Sequence, residues 1–225
     1  MLAGSREVTL KTMNNIPVKN IFAAVFTKKI LDPLLKVLDK NQVKFWGTEG
    51  TVKYLKSKGY SAKSVVTGFD FDGRVKSLDR AIFARILADR TNKKHLDALR
   101  NDLYSSSEAK RSREVSLKSS SRQARTISTA DFEPFDLVVV DLYKPDPKNF
   151  PESMDIGGQA LIRAAVKNYK NVALAFDEKS IADVVSELKK NNGSISLQFR
   201  KSQAKKSARF ISKRCNLELR LITKI

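Results

Sequence analysis

Four short segments of this chain carry the residue types that proton transfer and anion binding need: Gly73-Arg74-Val75-Lys76-Ser77-Leu78, Asp141-Leu142-Tyr143, Asp155-Ile156-Gly157-Gly158 and Arg163-Ala164-Ala165-Val166-Lys167-Asn168. If the first is extended, alternation puts Arg74 and Lys76 on one face. Two cations side by side suit a dianion or a developing oxyanion. Asp141 and Tyr143 follow the most apolar run of the chain, at the strand edge where ligands of open α/β sheets gather. Asp155 precedes Gly157 and Gly158, whose missing side chains permit close approach of backbone to a ligand. A fifth segment, Gly47-Thr48-Glu49-Gly50-Thr51, stands where a strand gives way to a helix, and free N–H groups there favour an anion. Thr48 and Thr51 add hydroxyls, and Lys28 can reach the same end of a neighbouring strand. Each segment also has a plain reading: Asp155 as a helix cap, Lys167 as a complement to a helix dipole, the glycines as ordinary turns. Together they supply a proton acceptor, cations and a phenol around a phosphate site.

The elements that must hold these groups alternate between strand and helix. Strands are expected over Val18–Val25, Val43–Trp46, Ser64–Val66, Leu137–Val140 and Val172–Phe176. Helices are expected after Asp32-Pro33, with Asp32 as cap, and from Thr51 to about Lys58, ended by Gly59. Further helical patterns run over Ile82–Leu87, His95–Leu103, Gly158–Val166 and Ile181–Leu188, and a basic one begins at Ser196. The alternation predicts an α/β fold, a three-layer arrangement of a mainly parallel sheet with helices on both faces. One domain is expected over 1–225. Its features are a flexible N-terminus (1–15), a mobile basic and serine-rich insertion (105–128), and a basic C-terminal helix and tail (196–225).

Forty-three lysines and arginines against 24 acidic residues give a formal net charge of +19. That surplus makes nucleic acid, anionic lipid or phosphorylated metabolites plausible partners. Cys215 is the single cysteine and His95 the single histidine. Neither an internal disulfide nor a Cys- or His-based metal site is expected, and no cofactor is implied. No apolar run approaches the ~20 residues of a membrane span. A secretory signal is not evident, so a cytoplasmic protein is expected.

The strings Val66-Thr67-Gly68-Phe69, Asp72-Gly73-Arg74-Val75-Lys76-Ser77-Leu78, Phe135-Asp136-Leu137-Val138-Val139-Val140 and Leu142-Tyr143 occur in an informative order. Asp155-Ile156-Gly157-Gly158 then runs through Arg163-Ala164-Ala165 to Lys167-Asn168. From Ile21 to Arg209 the chain resembles the IMP cyclohydrolase domain of the bifunctional purine-biosynthesis enzyme that also carries an AICAR transformylase domain. The resemblance implies a methylglyoxal-synthase-like fold and closure of 5-formamidoimidazole-4-carboxamide ribotide (FAICAR) to IMP with loss of water. It implies Lys76, Tyr143, Asp155 and Lys167 as the catalytic group. Lys28, Thr48, Gly50, Thr51, Arg74 and Ser77 match the family's nucleotide and phosphate contacts, and Asp141, Gly157 and Gly158 are placed beside them. Twelve residues of straight helix span about 18 Å, so Asp155 or Lys167 must leave the helix for both to touch one base.

The chain also departs from that family. Its first loop reads Ala24-Val25-Phe26-Thr27-Lys28-Lys29-Ile30 where the family has Ser-Val-Ser-Asp-Lys-Thr-Gly. Glu49-Gly50 replaces paired glycines, Asp79-Arg80 replaces His-Pro, and Asp141 replaces Asn. Beside the cyclohydrolase reading stand a catalytically weak nucleotide or nucleic-acid binding module and a methylglyoxal-synthase-type phosphate-eliminating enzyme. Partners expected are FAICAR and IMP, a separate AICAR transformylase and a second copy in a homodimer, with no membrane.

Overall fold

Apolar runs with few polar interruptions make strands that can be covered on both faces. In the computed structural model, which describes residues 14–65, 77–101 and 132–223, four largely apolar strands and one short polar edge strand (Ala62–Ser64) build one sheet. After β1 (Asn15–Pro17) come β2 (Asn20–Ala24), β3 (Lys44–Gly47), β4 (Ala62–Ser64), β5 (Leu137–Val140) and β6 (Ala173–Ala175). The last five are all parallel, in the order β4-β3-β2-β5-β6. β1 pairs antiparallel with β7 (Ser194–Ser196) as a separate two-stranded ribbon. Its strands lie far apart in the sequence and are three residues each, too short for a periodicity to announce.

Six helices complete the layers: α1 (Asp32–Leu35), α2 (Glu49–Ser57), α3 (Arg80–Leu87), α4 (Ile156–Lys167), α5 (Glu178–Lys190) and α6 (Leu197–Ile222). Residues 93–101 are also helical. Alternate strand residues divide between two cores. Ile21, Ala23, Leu137 and Val139 face α1, α2 and α5, meeting Leu34, Leu55 and Val184. Phe22, Val138, Val140 and Leu174 face the other way onto α3, α4 and α6, through Ile86, Leu161 and Ile211. The expected three-layer α/β architecture is therefore present. No helix of the described residues is long and apolar enough to cross a membrane.

Two local expectations change. Asp32 is the first residue of α1 rather than its cap, and its carboxylate accepts the Tyr54 hydroxyl of α2 instead. The basic C-terminal helix is real but long, at 26 residues, and its start is anchored by buried Arg200. That guanidinium donates to the carbonyls of Tyr169 (3.1 Å), Lys170 (2.9 Å) and Ile195 (2.6 Å). The 105–128 insertion and residues 1–13 of the N-terminal segment lie outside the described residues, as does Val66 of the third expected strand.

At the edge where the parallel strands begin, Asp136 is buried yet fully engaged. It accepts the N–H of Lys19 (2.8 Å) and of Asn20 (2.6 Å), and Arg90 Nη2 at 2.6 Å. Arg90 also donates to the carbonyls of Phe135 and Asn171, each at 2.8 Å, so one ion pair ties the starts of β2, β5 and β6. Burial pushes the Asp136 carboxyl up, while Arg90 and the two amides pull it down. Removing the carboxylate orphans the Lys19 and Asn20 N–H groups and leaves the half-buried Arg90 without its counter-charge. Asp136→Ala is expected to lower stability in urea by about 3–5 kcal/mol. A loss no larger than the about 0.5 kcal/mol of an ordinary surface change would contradict the assignment.

Candidate active site

The opposite edge of the sheet, where β2, β3 and β5 end, opens into a cavity of about 540 Å³. This is the edge at which ligands of open parallel sheets bind. Its wall comes from the loop after β2 (Val25, Phe26, Lys28), the start of α2 (Thr48, Glu49, Gly50) and the segment after β5 (Asp141, Tyr143). Asp155, Gly158 and Leu161 of α4, together with Ser77, close it.

One half holds groups of the kind that suit an anion. Thr48 caps α2 with an extended backbone, but its side chain takes none of the helix's N–H groups. The first-turn N–H groups of α2 therefore remain open to a ligand. The Thr48 and Thr51 hydroxyls lie 3.2 Å apart. Thr51 itself is buried and bonded to the backbone of Val25 at 3.4 Å, so it locks α2 to β2 and does not line the cavity. Lys28 Nζ turns back onto the carbonyls of Val25 and Phe26 (3.2 Å to the latter). A Cβ on Gly50 would stand 3.4 Å from Lys28 Cε, so the lysine passes against the helix start. Burial holds the Lys28 ammonium below its ordinary pKa, and Asp141 opposes that shift. Glu49 is exposed on the same wall. Asp141 was expected to meet substrate. Both its oxygens instead accept loop amides, from Phe26 and from Thr27 (2.9 Å), so it fixes the loop.

The other half brings together a buried carboxyl and a phenol, groups of the kind that exchange protons. Asp155 caps α4, accepting the Gly158 N–H at 2.7 Å, and is only 9% exposed. Burial raises its pKa. The Gly158 N–H and the Arg214 charge pull it back, and Asp141 and Glu218 push it further up. The Tyr143 hydroxyl donates to the Met154 carbonyl at 3.2 Å. Burial and the neighbouring Asp155 raise that phenol, against Arg214. Arg214 comes from α6 and donates to the Tyr143 carbonyl at 2.9 Å, while Glu218 one turn later accepts from Gln159 of α4 at 2.7 Å. The sequence reading missed both. The available signal was their position: Arg200, Ala204, Ser207, Ile211, Arg214 and Glu218 fall on one buried stripe of an otherwise exposed basic helix.

The paired glycines answer to protein rather than ligand. A Cβ on Gly157 would lie 2.2 Å from Ser77 Oγ, and one on Gly158 would lie 2.4 Å from Leu142 Cδ2 and 2.8 Å from each Asp155 oxygen. Lys167 is not brought to the cavity. It is exposed at the last residue of α4, about 18 Å along the helix from Asp155. Arg74 and Lys76 lie outside the described residues, although Ser77, next in the chain, lines the cavity. Among the described residues no cluster of three or more His, Cys, Asp or Glu could hold a metal ion.

No protein-family profile matches the chain. It is 33% identical over 201 residues to the bifunctional purine biosynthesis protein PurH of Clostridium botulinum strain Hall, covering 84% of this chain and 34% of that protein. The PurH of Clostridium acetobutylicum is 34% identical over 185 residues (77% of this chain, 32% of that one). That of Brucella ovis is 33% identical over 202 residues (84% and 32%). The crystal structure of ForH superposes with a TM-score of 0.63 at 24% identity, covering 92% of this chain and 99% of that one, and so shares the fold. The chain spans about a third of the length of the curated relatives it matches, and over most of its own length it is a relative of that portion of the bifunctional purine biosynthesis protein PurH.

Proposed function

We propose that the chain works in purine biosynthesis as an IMP cyclohydrolase, closing FAICAR to IMP. The observation that carries this reading is one cavity holding a buried carboxyl, Asp155, and a phenol, Tyr143, beside an open helix start flanked by Lys28 and Thr48. The relatives named as purine biosynthesis proteins support the same reading.

In the reaction the carboxamide nitrogen attacks the formyl carbon, forming the last ring bond. One proton from that nitrogen and one from the formamide nitrogen leave with the formyl oxygen as water. A carboxylate held above its ordinary pKa by burial is a stronger base than one in water, which suits Asp155 to take the carboxamide proton. In this scheme the Tyr143 hydroxyl turns its proton from the Met154 carbonyl to the oxygen as it becomes anionic and then leaves. Lys76 is assigned to that oxyanion by resemblance alone. The substrate phosphate is assigned to the start of α2 with Lys28 and Thr48. Lys167 receives no direct role, because α4 carries it away from the cavity. The phosphate-elimination alternative gains nothing here: His95 accepts the Asp89 N–H at 3.1 Å within its own turn and is not among the cavity residues.

Purified protein incubated with FAICAR is expected to release IMP. Absence of product at high enzyme concentration would refute the assignment, and salt-sensitive retention of nucleic acid without turnover would favour the binding-module alternative. Asp155→Asn should cut turnover at least about 100-fold, the usual lower range for a lost general base. Asparagine caps helices as well as aspartate does, so the same variant should fold at least as stably as the parent. The native state holds the Asp155 proton more tightly than the unfolded chain, so ionising it with rising pH costs the parent stability. The stability difference should therefore move in favour of Asp155→Asn as pH rises through the raised pKa, and kcat/KM of the parent should fall as pH drops through it. Lys28→Ala should raise KM about tenfold or more, with a smaller effect on kcat, as expected for a lost charged hydrogen bond.

A further inference from the structure

Phe26 is the most exposed large apolar side chain among the described residues, at 70%, and it lies on the wall of the cavity. Its ring stands 5.9 Å from that of Tyr143, centroid to centroid, at an interplanar angle of 53°. The backbone beneath it is held on both sides. Asp141 accepts the N–H groups of Phe26 and Thr27, and Lys28 Nζ donates to the Phe26 carbonyl. The exposed ring is thus presented by a fixed loop, so a ligand that covers it need not order that loop.

We propose that Phe26 and Tyr143 form an aromatic corner that stacks the planar heteroaromatic base of a nucleoside monophosphate, making Phe26 a specificity-determining residue of this site. The inference rests on the reading of the cavity as a nucleotide site, not on turnover. Two tilted rings offer a flat ligand one face to stack on and one edge to meet, both favoured aromatic geometries. The same cavity supplies an anion end at Lys28, Thr48 and Gly50. Its volume of about 540 Å³ lies within the range of small-molecule sites. A ligand that carries both a phosphate and a flat ring uses both features. A sugar phosphate uses only the first and leaves the Phe26 ring in water.

The test is calorimetric titration of IMP and of ribose 5-phosphate into the full chain, its Phe26→Ala and its Phe26→Trp variants, with melting curves confirming the fold. Stacking on an aromatic side chain is worth enough that Phe26→Ala should weaken IMP about tenfold or more. Ribose 5-phosphate should change less than about twofold, Phe26→Trp should restore IMP affinity, and the new indole should be quenched on IMP binding. Unchanged IMP affinity in Phe26→Ala would overturn the proposal. Equal weakening of both ligands would overturn it too, since the loss would then be one of loop structure, as would a parent protein that binds no IMP. A parent that discriminates IMP from ribose 5-phosphate through Phe26, yet forms no IMP from FAICAR, would refute the cyclohydrolase assignment and leave the aromatic corner standing.

Discussion

Strand β2 is held at both ends by the aspartates that bracket β5. Asp136, before β5, accepts the N–H groups of Lys19 and Asn20 as β2 begins, and Asp141, after it, accepts those of Phe26 and Thr27 as β2 ends. A one-residue slip of β2 would reverse every side chain between the two cores and break four amide-to-carboxylate bonds at once. The clamp fixes more than the register Ile21↔Leu137 to Ala24↔Val140. It also fixes where the loop carrying Phe26 and Lys28 meets the segment carrying Tyr143, and so where the cavity opens. The two carboxylates differ in consequence. Asp136 is buried against the partly exposed Arg90 at the sheet's starting edge, away from the cavity, whereas Asp141 sits on the cavity wall and loads the site with a negative charge.

That charge belongs to a balance. Asp155, Asp141, Glu218 and the Tyr143 phenol lie near one another, and burial disfavours ionising Asp155 or Tyr143. Arg214 is the described cation that opposes both shifts, and it does so from a helix whose other cations mostly face water. The neighbouring half, around the start of α2, is governed by backbone rather than by side-chain charge. It consists of a helix start left uncapped, a hydroxyl pair, and a lysine folded onto its own loop.

Much of the layer architecture was legible because it follows from local pattern. Leu137–Val140 could only be a covered strand, and the alternation around it required parallel pairing. Asp155 before two glycines could be read as cap and as candidate base; it is the cap of α4, and it lines the cavity. What escaped the sequence depended on contacts between distant segments. Whether Asp141 meets ligand or loop is decided by amides more than a hundred residues earlier. The need for glycine at 157 comes from Ser77, and Thr51 is spent on Val25. The tension between Asp155 and Lys167 was visible as helix length, and the twelve residues of α4 do separate them.

Arg214 joins the last helix to the site's chemistry, and the linkage must run in both directions. If its charge helps Asp155 to ionise, an ionised Asp155 must hold α6 more firmly by the same free energy. A ligand that draws the proton off that carboxyl would therefore tighten the seating of a helix it never touches, and loosening the helix would make the carboxyl hold its proton longer. The basicity of Asp155 and the docking of the last helix are then two readings of one thermodynamic coupling.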